Sequence, residues 1–165
     1  MAPGALAVRA VEPADGAALR RLFERNRHTT AAETFDPFEL TAERALLIAG
    51  QRSADRYYLA WLADELVGMS MLRGYDEGYA IPSLGILVDA VCHGRGIGRE
   101  LSAWTLAAAR AGGAPGVRLS VYGDNPAALE LYRSLGFTER ERSLVERPSG
   151  TREKIVMELE WEGLQ

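Results

Sequence analysis

Apolar and polar positions follow two periods along this chain, and the changes of period mark its elements. Residues 6 to 11 (LAVRAV) alternate as a half-buried strand does. Pro13 and Asp15 then open a stretch in which Ala18, Leu22 and Arg25 keep helical spacing. His28 to Leu40 shows no clear period and reads as a loop, after which Thr41 caps a second helix to about Ala49. Tyr57 to Leu62 and Leu66 to Leu72 are rich in aromatic, branched and other apolar residues. The intervening Ala63, Asp64 and Glu65 suit a hairpin turn. Beyond a polar turn from Gly74 to Gly78, Tyr79 to Val88 is again extended but broken by Pro82 and Gly85. Such residues fit either a plain edge strand or a close approach of a ligand near Gly85.

From Gly96 onward Ile97, Leu101, Trp104 and Ala108 are spaced 4, 3 and 4 apart on one helical face, ended by Gly112 and Gly113. Val117 to Val121 is a short apolar strand. Asn125 then caps a helix that begins at Pro126 and stops at Gly136. Phe137 to Val145 and Arg152 to Leu159 flank the turn Pro-Ser-Gly as a last hairpin. The predicted order, βααβββαβαββ, is α+β: a single central, mixed and mostly antiparallel sheet flanked by helices. No repeat or low-complexity linker divides residues 1–165, so one domain is expected.

Composition narrows the function. The formal charge of −4 disfavours nucleic acid, whose phosphates require a basic face. No run approaches the roughly 18 apolar residues of a membrane span, and the start, MAPGALAVRA, has no basic region followed by a long apolar run. Neither a membrane nor export is expected. Cys92 is the only cysteine, so a disulfide framework and a paired-cysteine metal site are excluded and a reducing cytoplasm is the natural setting. A packed thiol suits Cys92 better than a nucleophile, since no paired His and Asn motif accompanies it.

The clearest chemistry lies in Val88-Asp-Ala-Val-Cys-His-Gly-Arg-Gly-Ile-Gly-Arg99, a strand, a glycine-rich turn and a helix start. Glycines 94, 96 and 98 let the backbone come close to a ligand, and the first N–H groups of the helix have no partner within it. With the positive end of the helix dipole, the N–H groups from about Gly94 to Arg99 suit a pyrophosphate, with Arg95 and Arg99 nearby. A P-loop is excluded because Arg99 and Glu100 stand where Lys and Ser or Thr belong. A dinucleotide fold would place its glycines after the first strand of a parallel sheet, not beyond residue 90. Downstream, Asn125 and Tyr132 lie seven residues apart, near one helical face with the small Ala128 between them. A narrow ligand could run along that face; equally, Asn125 could be only a cap and Tyr132 only a core aromatic.

Both segments resemble elements of the GNAT acetyltransferases. His93-Gly-Arg-Gly-Ile-Gly98 is similar to Gln/Arg-x-x-Gly-x-Gly/Ala, with His93 where the family carries Gln or Arg. Asn125 to Phe137, NPAALELYRSLGF, is similar to Asn-x-x-Ala-x-x-x-Tyr-x-x-x-Gly-Phe and follows about 30 residues later in the family's order. The resemblance covers about Val8 to Leu159. It implies acetyl-CoA as donor, with the diphosphate on residues 93 to 99 and the pantetheine arm on the backbone of Ile86, Leu87 and Val88. Asn125 would bond the amide arm, the Val88 N–H would serve the oxyanion, and Tyr132 would be the general acid for the leaving thiolate. Some members carry a glutamate base where Ser120 stands. Glu77, Asp76, His28 or a water chain would then serve.

An acceptor pocket is expected between the His28–Phe38 loop, the turn from Arg73 to Tyr79 and the last hairpin, with His28, Phe35, Tyr75, Asp76, Glu77 and Tyr79 as its candidate residues. The acceptor implied is a primary amine on a small molecule such as an amino sugar or secondary metabolite. A protein N-terminus is the alternative, as in members acting on ribosomal proteins. The rivals from other classes are a non-catalytic acyl-CoA-binding module and a nucleotide-phosphate binder. A homodimer paired through the last strands is compatible with the resemblance.

Overall fold

The computed structural model describes residues 4–35, 37–50 and 52–161. Strand β1 (Leu6–Ala10) leads into helices α1 (Gly16–Asn26), α2 (Thr30–Thr34) and α3 (Ala42–Gly50), then strands β2 (Arg56–Leu62), β3 (Glu65–Arg73) and β4 (Ser83–Val88). Helix α4 (Ile97–Ala111), strand β5 (Gly116–Tyr122), helix α5 (Pro126–Ser134) and the hairpin β6 (Thr138–Arg147) and β7 (Gly150–Glu160) complete the order. All seven strands form one mixed sheet, β1-β2-β3-β4-β5-β7-β6, in which only β4 and β5 run parallel. The α+β expectation holds, with one helix more than the sequence pattern predicts. That helix, α2, lies in the stretch read as a loop, and its five residues are too few to display a period.

Three further expectations are corrected. First, β4 starts only at Ser83, so Tyr79–Pro82 is not strand. Pro82 has no N–H for a ladder, and its carbonyl accepts instead from the Arg118 N–H at 3.0 Å. Nor is β4 an edge, because β3 flanks it along its whole length. Second, α4 buries Ile97, Leu101, Ser102, Thr105, Leu106 and Ala109, while Trp104 stays 36% exposed against Tyr58. The stripe runs through polar residues: the Thr105 hydroxyl lies 2.7 Å from both the Leu101 carbonyl and the Ser70 hydroxyl, which satisfies it in the core. Third, α1 buries Leu19, Leu22, Phe23 and Asn26 in place of Ala18 and Arg25.

The two faces of the sheet carry separate cores. On one, α1 and α3 cover Leu59, Met69, Met71 and Leu87; on the other, α4 and α5 pack with Leu72, Leu84, Val117, Leu119, Ile155 and Met157. Each large side chain removed from water contributes about 1.5–3 kcal/mol. Between these cores the sheet opens. β4 and β5 pair only at Ser83 and Arg118, and from there toward Val88 and Tyr122 the two parallel strands share no further rung.

Candidate active site

The open seam between β4 and β5 is a cavity of about 750 Å³ that reaches from α2 to α5. Its first wall is the free edge of β4. The Asp89 N–H donates to the Val67 carbonyl at 2.8 Å, and antiparallel bonding alternates, so Leu87–Met69 and Gly85–Met71 are the hydrogen-bonded pairs with β3. The backbone groups of Ile86 and Val88 therefore face β5, which is too far away to meet them. Of these, the Val88 carbonyl is engaged by the His93 Nε2 at 2.9 Å, so that nitrogen carries the proton. Leu87 also borders the cavity, but by the same alternation its N–H and carbonyl face β3, and its side chain is buried.

At the wide end of the seam the chain turns into α4. Asp89 closes a short 3-10 turn over Ala90–Cys92 by accepting from the Val91 N–H at 3.3 Å. Arg25 on α1 donates to the buried Asp89 carboxylate at 2.6 Å, and the Ala90 N–H donates to Asn26 at 2.9 Å. This lashing sets where α4 begins. Gly94 and Gly96 take φ of +81° and +79°, and an added Cβ would meet nothing within 4 Å at either. The turn thus presents the first N–H groups of a 15-residue helix to open space bordered by Gly94, Gly96, Ile97 and Gly98, the cradle an anion requires. Arg95 and Arg99 do not border the cavity, and Arg99 bonds Ser134 on α5 at 3.0 Å. Cys92 is buried, and burial pushes its thiol pKa up, so it stays a thiol rather than a nucleophile.

Helix α5 forms the second wall. Asn125 caps it, accepting from the Ala128 N–H at 3.3 Å, and also borders the cavity with Ala128, Leu131 and Tyr132. Tyr132 lies edge-on to Phe137 at 5.8 Å, and among the described residues its hydroxyl takes no hydrogen bond. Burial pushes its pKa up to about 12, so the phenol stays protonated through neutral pH.

At the narrow end the six acceptor candidates divide. Phe35, Glu77 and Tyr79 border the cavity; His28, Tyr75 and Asp76 do not. His28 is exposed beside Arg27. Tyr75 lies under Arg56, 5.0 Å from its guanidinium, and packs toward the α4 and α5 core. Asp76 accepts from the Ser53 hydroxyl and from the Ala54 N–H at 2.8 Å, contacts that hold its pKa below the usual carboxylate range. The turn itself is set by Asp55, which accepts from the N–H groups of Gly74 and Tyr75, both at 2.9 Å. Gly85 borders the cavity, and a Cβ there would meet the flexible end of the Met71 side chain. Arg73 and Arg118 also line this end, and Ser120, Tyr122 and Lys154 line the seam further along β5. Of them the sequence pattern singled out only Ser120, because strand pairing rather than local spacing brings the others together.

The sheet is thus parted between two parallel strands, with a helix start at one end and a free phenol on the opposite wall. The model of the acetyltransferase (GNAT) family matches residues 17–137, and the chain belongs to that family. It is 39% identical over 95 residues to the mycothiol acetyltransferase of Thermobispora bispora, a match covering 58% of this chain and 29% of that protein. The chain thus spans less than a third of that relative's length. Among solved structures it superposes on a GCN5-related N-acetyltransferase from Kribbella flavida with TM-score 0.78, at 28% identity and coverage of 95% and 98% of the two chains. It also superposes on an acetyltransferase from Salmonella typhimurium solved with its cofactor acetyl-CoA, with TM-score 0.79, 22% identity and 98% of each chain covered.

Proposed function

We propose that this acyltransferase takes acetyl-CoA as donor and acetylates the primary amine of a small molecule. The carrying observation is the continuous cleft: an open helix N-terminus, the unpaired β4 edge and the Tyr132 hydroxyl lie along one cavity. The residues fit the coenzyme, because the glycine turn leaves room where side chains would stand and the unpaired β4 edge at Val88 and Ile86 offers backbone groups to an amide arm and a thioester in turn. Bound there, the coenzyme supplies an acetyl group activated as a thioester.

The residues divide the work as follows. Amides from Gly94 to Gly98 hold the diphosphate. An arm leaving the cradle passes Val88 first, so the Ile86 N–H, also turned into the seam, rather than the Val88 N–H expected from the resemblance, donates to the acetyl oxygen as negative charge develops on it. Asn125 keeps its side-chain NH2 for the amide arm while its oxygen caps α5. Tyr132 holds its proton through neutral pH and gives it to the departing sulfur. Among the described residues lining the cavity Glu77 is the carboxylate; it holds the acceptor's ammonium group and takes the proton that frees the amine to attack, and the second proton, shed as the amide forms, restores the Tyr132 phenol. A compact acceptor is favoured over a protein N-terminus by the contact across the seam, where Arg152 of β7 donates to the Glu33 carbonyl of α2 at 3.2 Å.

The test is calorimetric titration with acetyl-CoA followed by a thiol-release assay over a panel of amines and peptide N-termini. Micromolar binding with turnover on small amines is expected. Binding without turnover on any amine would favour an acyl-CoA-binding module, and competition by ATP or NAD but not CoA would favour a nucleotide binder.

A further inference from the structure

The narrow end of the cleft holds two guanidinium groups that, among the described residues, have no carboxylate partner. Arg73 ends β3, Ser83 begins β4 and Arg118 lies in β5. Their registers, Arg73↔Ser83 and Ser83↔Arg118, place them in one row across three neighbouring strands. Strands lie about 4.8 Å apart, so the two arginine backbones stand about 10 Å from each other with Ser83 between them. Side-chain alternation puts both on the same face. Arg73 follows Met71, which packs with α1 and α3, whereas Arg118 alternates with Val117 and Leu119, which pack with α4 and α5. Both border the cavity.

Among the described residues neither guanidinium forms an ion pair or a side-chain hydrogen bond. Arg73 only lies over the Phe38 ring, at 5.6 Å, and Arg118 is exposed. Glu158 is the cross-strand neighbour of Arg118, yet the two make no ion pair. Elsewhere this chain pairs arginines readily, as in Arg9 with Asp15 and Arg25 with Asp89, each at 2.7 Å or less. Two arginines without carboxylate partners that border one cavity from the same face suit an anion, and a guanidinium grips a carboxylate through two parallel hydrogen bonds. The coenzyme's diphosphate is not that anion. The cradle begins beyond Val88, five residues and about 17 Å along β4 from Ser83.

We infer that the acceptor is an amine bearing a carboxylate, gripped by Arg73 and Arg118 on either side of Ser83 while Glu77 holds its ammonium group. This rests on the acetyl-transfer reading above and narrows it to amino-acid-like acceptors. Arg73 and Arg118 set specificity and take no part in the chemical step.

Matched acceptors test it: amino acids with small, aromatic and acidic side chains, each assayed beside its decarboxylated amine by thiol release at saturating acetyl-CoA. The wild-type protein is expected to favour the carboxylated member of its best pair by at least about 30-fold in kcat/KM. Arg118→Gln should reduce that preference to below about 3-fold, raising KM for the amino acid with kcat within about 3-fold and acetyl-CoA affinity unchanged. Arg73→Gln should act in the same direction, and Arg118→Gln carries the test if Arg73→Gln fails to fold. Equal turnover of the decarboxylated amines, or an undiminished preference in Arg118→Gln, overturns the inference and leaves acetyl transfer standing. Acetyl-CoA binding without turnover of any acceptor overturns both.

Discussion

The two ends of the cleft recognise by different means. At the wide end the contacts come from the main chain: the amides that open α4 and the β4 edge that β5 leaves unpaired. At the narrow end they come from long side chains on β3, β5 and the turn after β3. A backbone site depends on glycines and on where a helix starts, so it tolerates wide change elsewhere and suits a partner common to many relatives. A side-chain site is rewritten by single substitutions, which is what a variable acceptor requires. The contrast predicts that damage at the wide end abolishes binding of the shared coenzyme, whereas damage at the narrow end changes only which acceptor is used.

The largest effect should follow Gly96→Asp, which forces a side chain into φ of +79° and sets a carboxylate where the diphosphate lies. Acetyl-CoA affinity by calorimetry should fall at least about 100-fold, and retained affinity would count against the cradle. Next, Tyr132→Phe should lower turnover about 100-fold with acetyl-CoA affinity within about 3-fold, because only the proton is lost. An unchanged rate removes Tyr132 from the chemistry. The same residue makes a pH prediction. Burial favours the neutral phenol up to about 12, so the pH–rate profile should show no alkaline fall from this group below about pH 11. A fall near pH 10 that vanishes in Tyr132→Phe would show the phenol to be unperturbed.

Smaller changes separate folding from binding. Asn125→Ala should cost about 1 kcal/mol of stability by loss of the cap, and Asn125→Asp should recover it; denaturant melts report both. If Asn125→Asp still binds acetyl-CoA more weakly, the side-chain NH2 contacts the coenzyme; equal binding confines Asn125 to the cap. Asp15 lies outside both ends and calibrates the background. Its hydrogen bonds from Arg9 hold its pKa down, so it stabilises the fold above the ordinary carboxylate range, and that contribution disappears as pH falls through its folded pKa. Asp15→Asn removes a buried carboxylate that accepts from Arg9 and the Glu12 N–H, so it should cost about 2 kcal/mol at pH 7 and flatten the acid limb of stability, with coenzyme binding untouched.

How much was legible in the sequence follows the same division. The glycine turn, the Asn125 cap and the position of Tyr132 depend on spacings of a few residues, and each stands where local reasoning put it. Arg73 and Arg118 are 45 residues apart and meet only because β4 pairs with both of their strands. No local pattern announces that. The same limit explains Asp76 and His28, which had the right chemistry in nearby segments but are turned to Ser53 or to solvent. It explains Leu87 too, because register against β3 decides which backbone groups face the seam.

A crystal structure with acetyl-CoA bound examines the backbone end most directly. The account places the diphosphate on the amides of residues 94 to 98, the amide arm along Val88, and the thioester within hydrogen-bond reach of both the Ile86 N–H and the Tyr132 hydroxyl. A coenzyme lying elsewhere with the glycine turn empty, or a Tyr132 hydroxyl directed away from the sulfur, would contradict it.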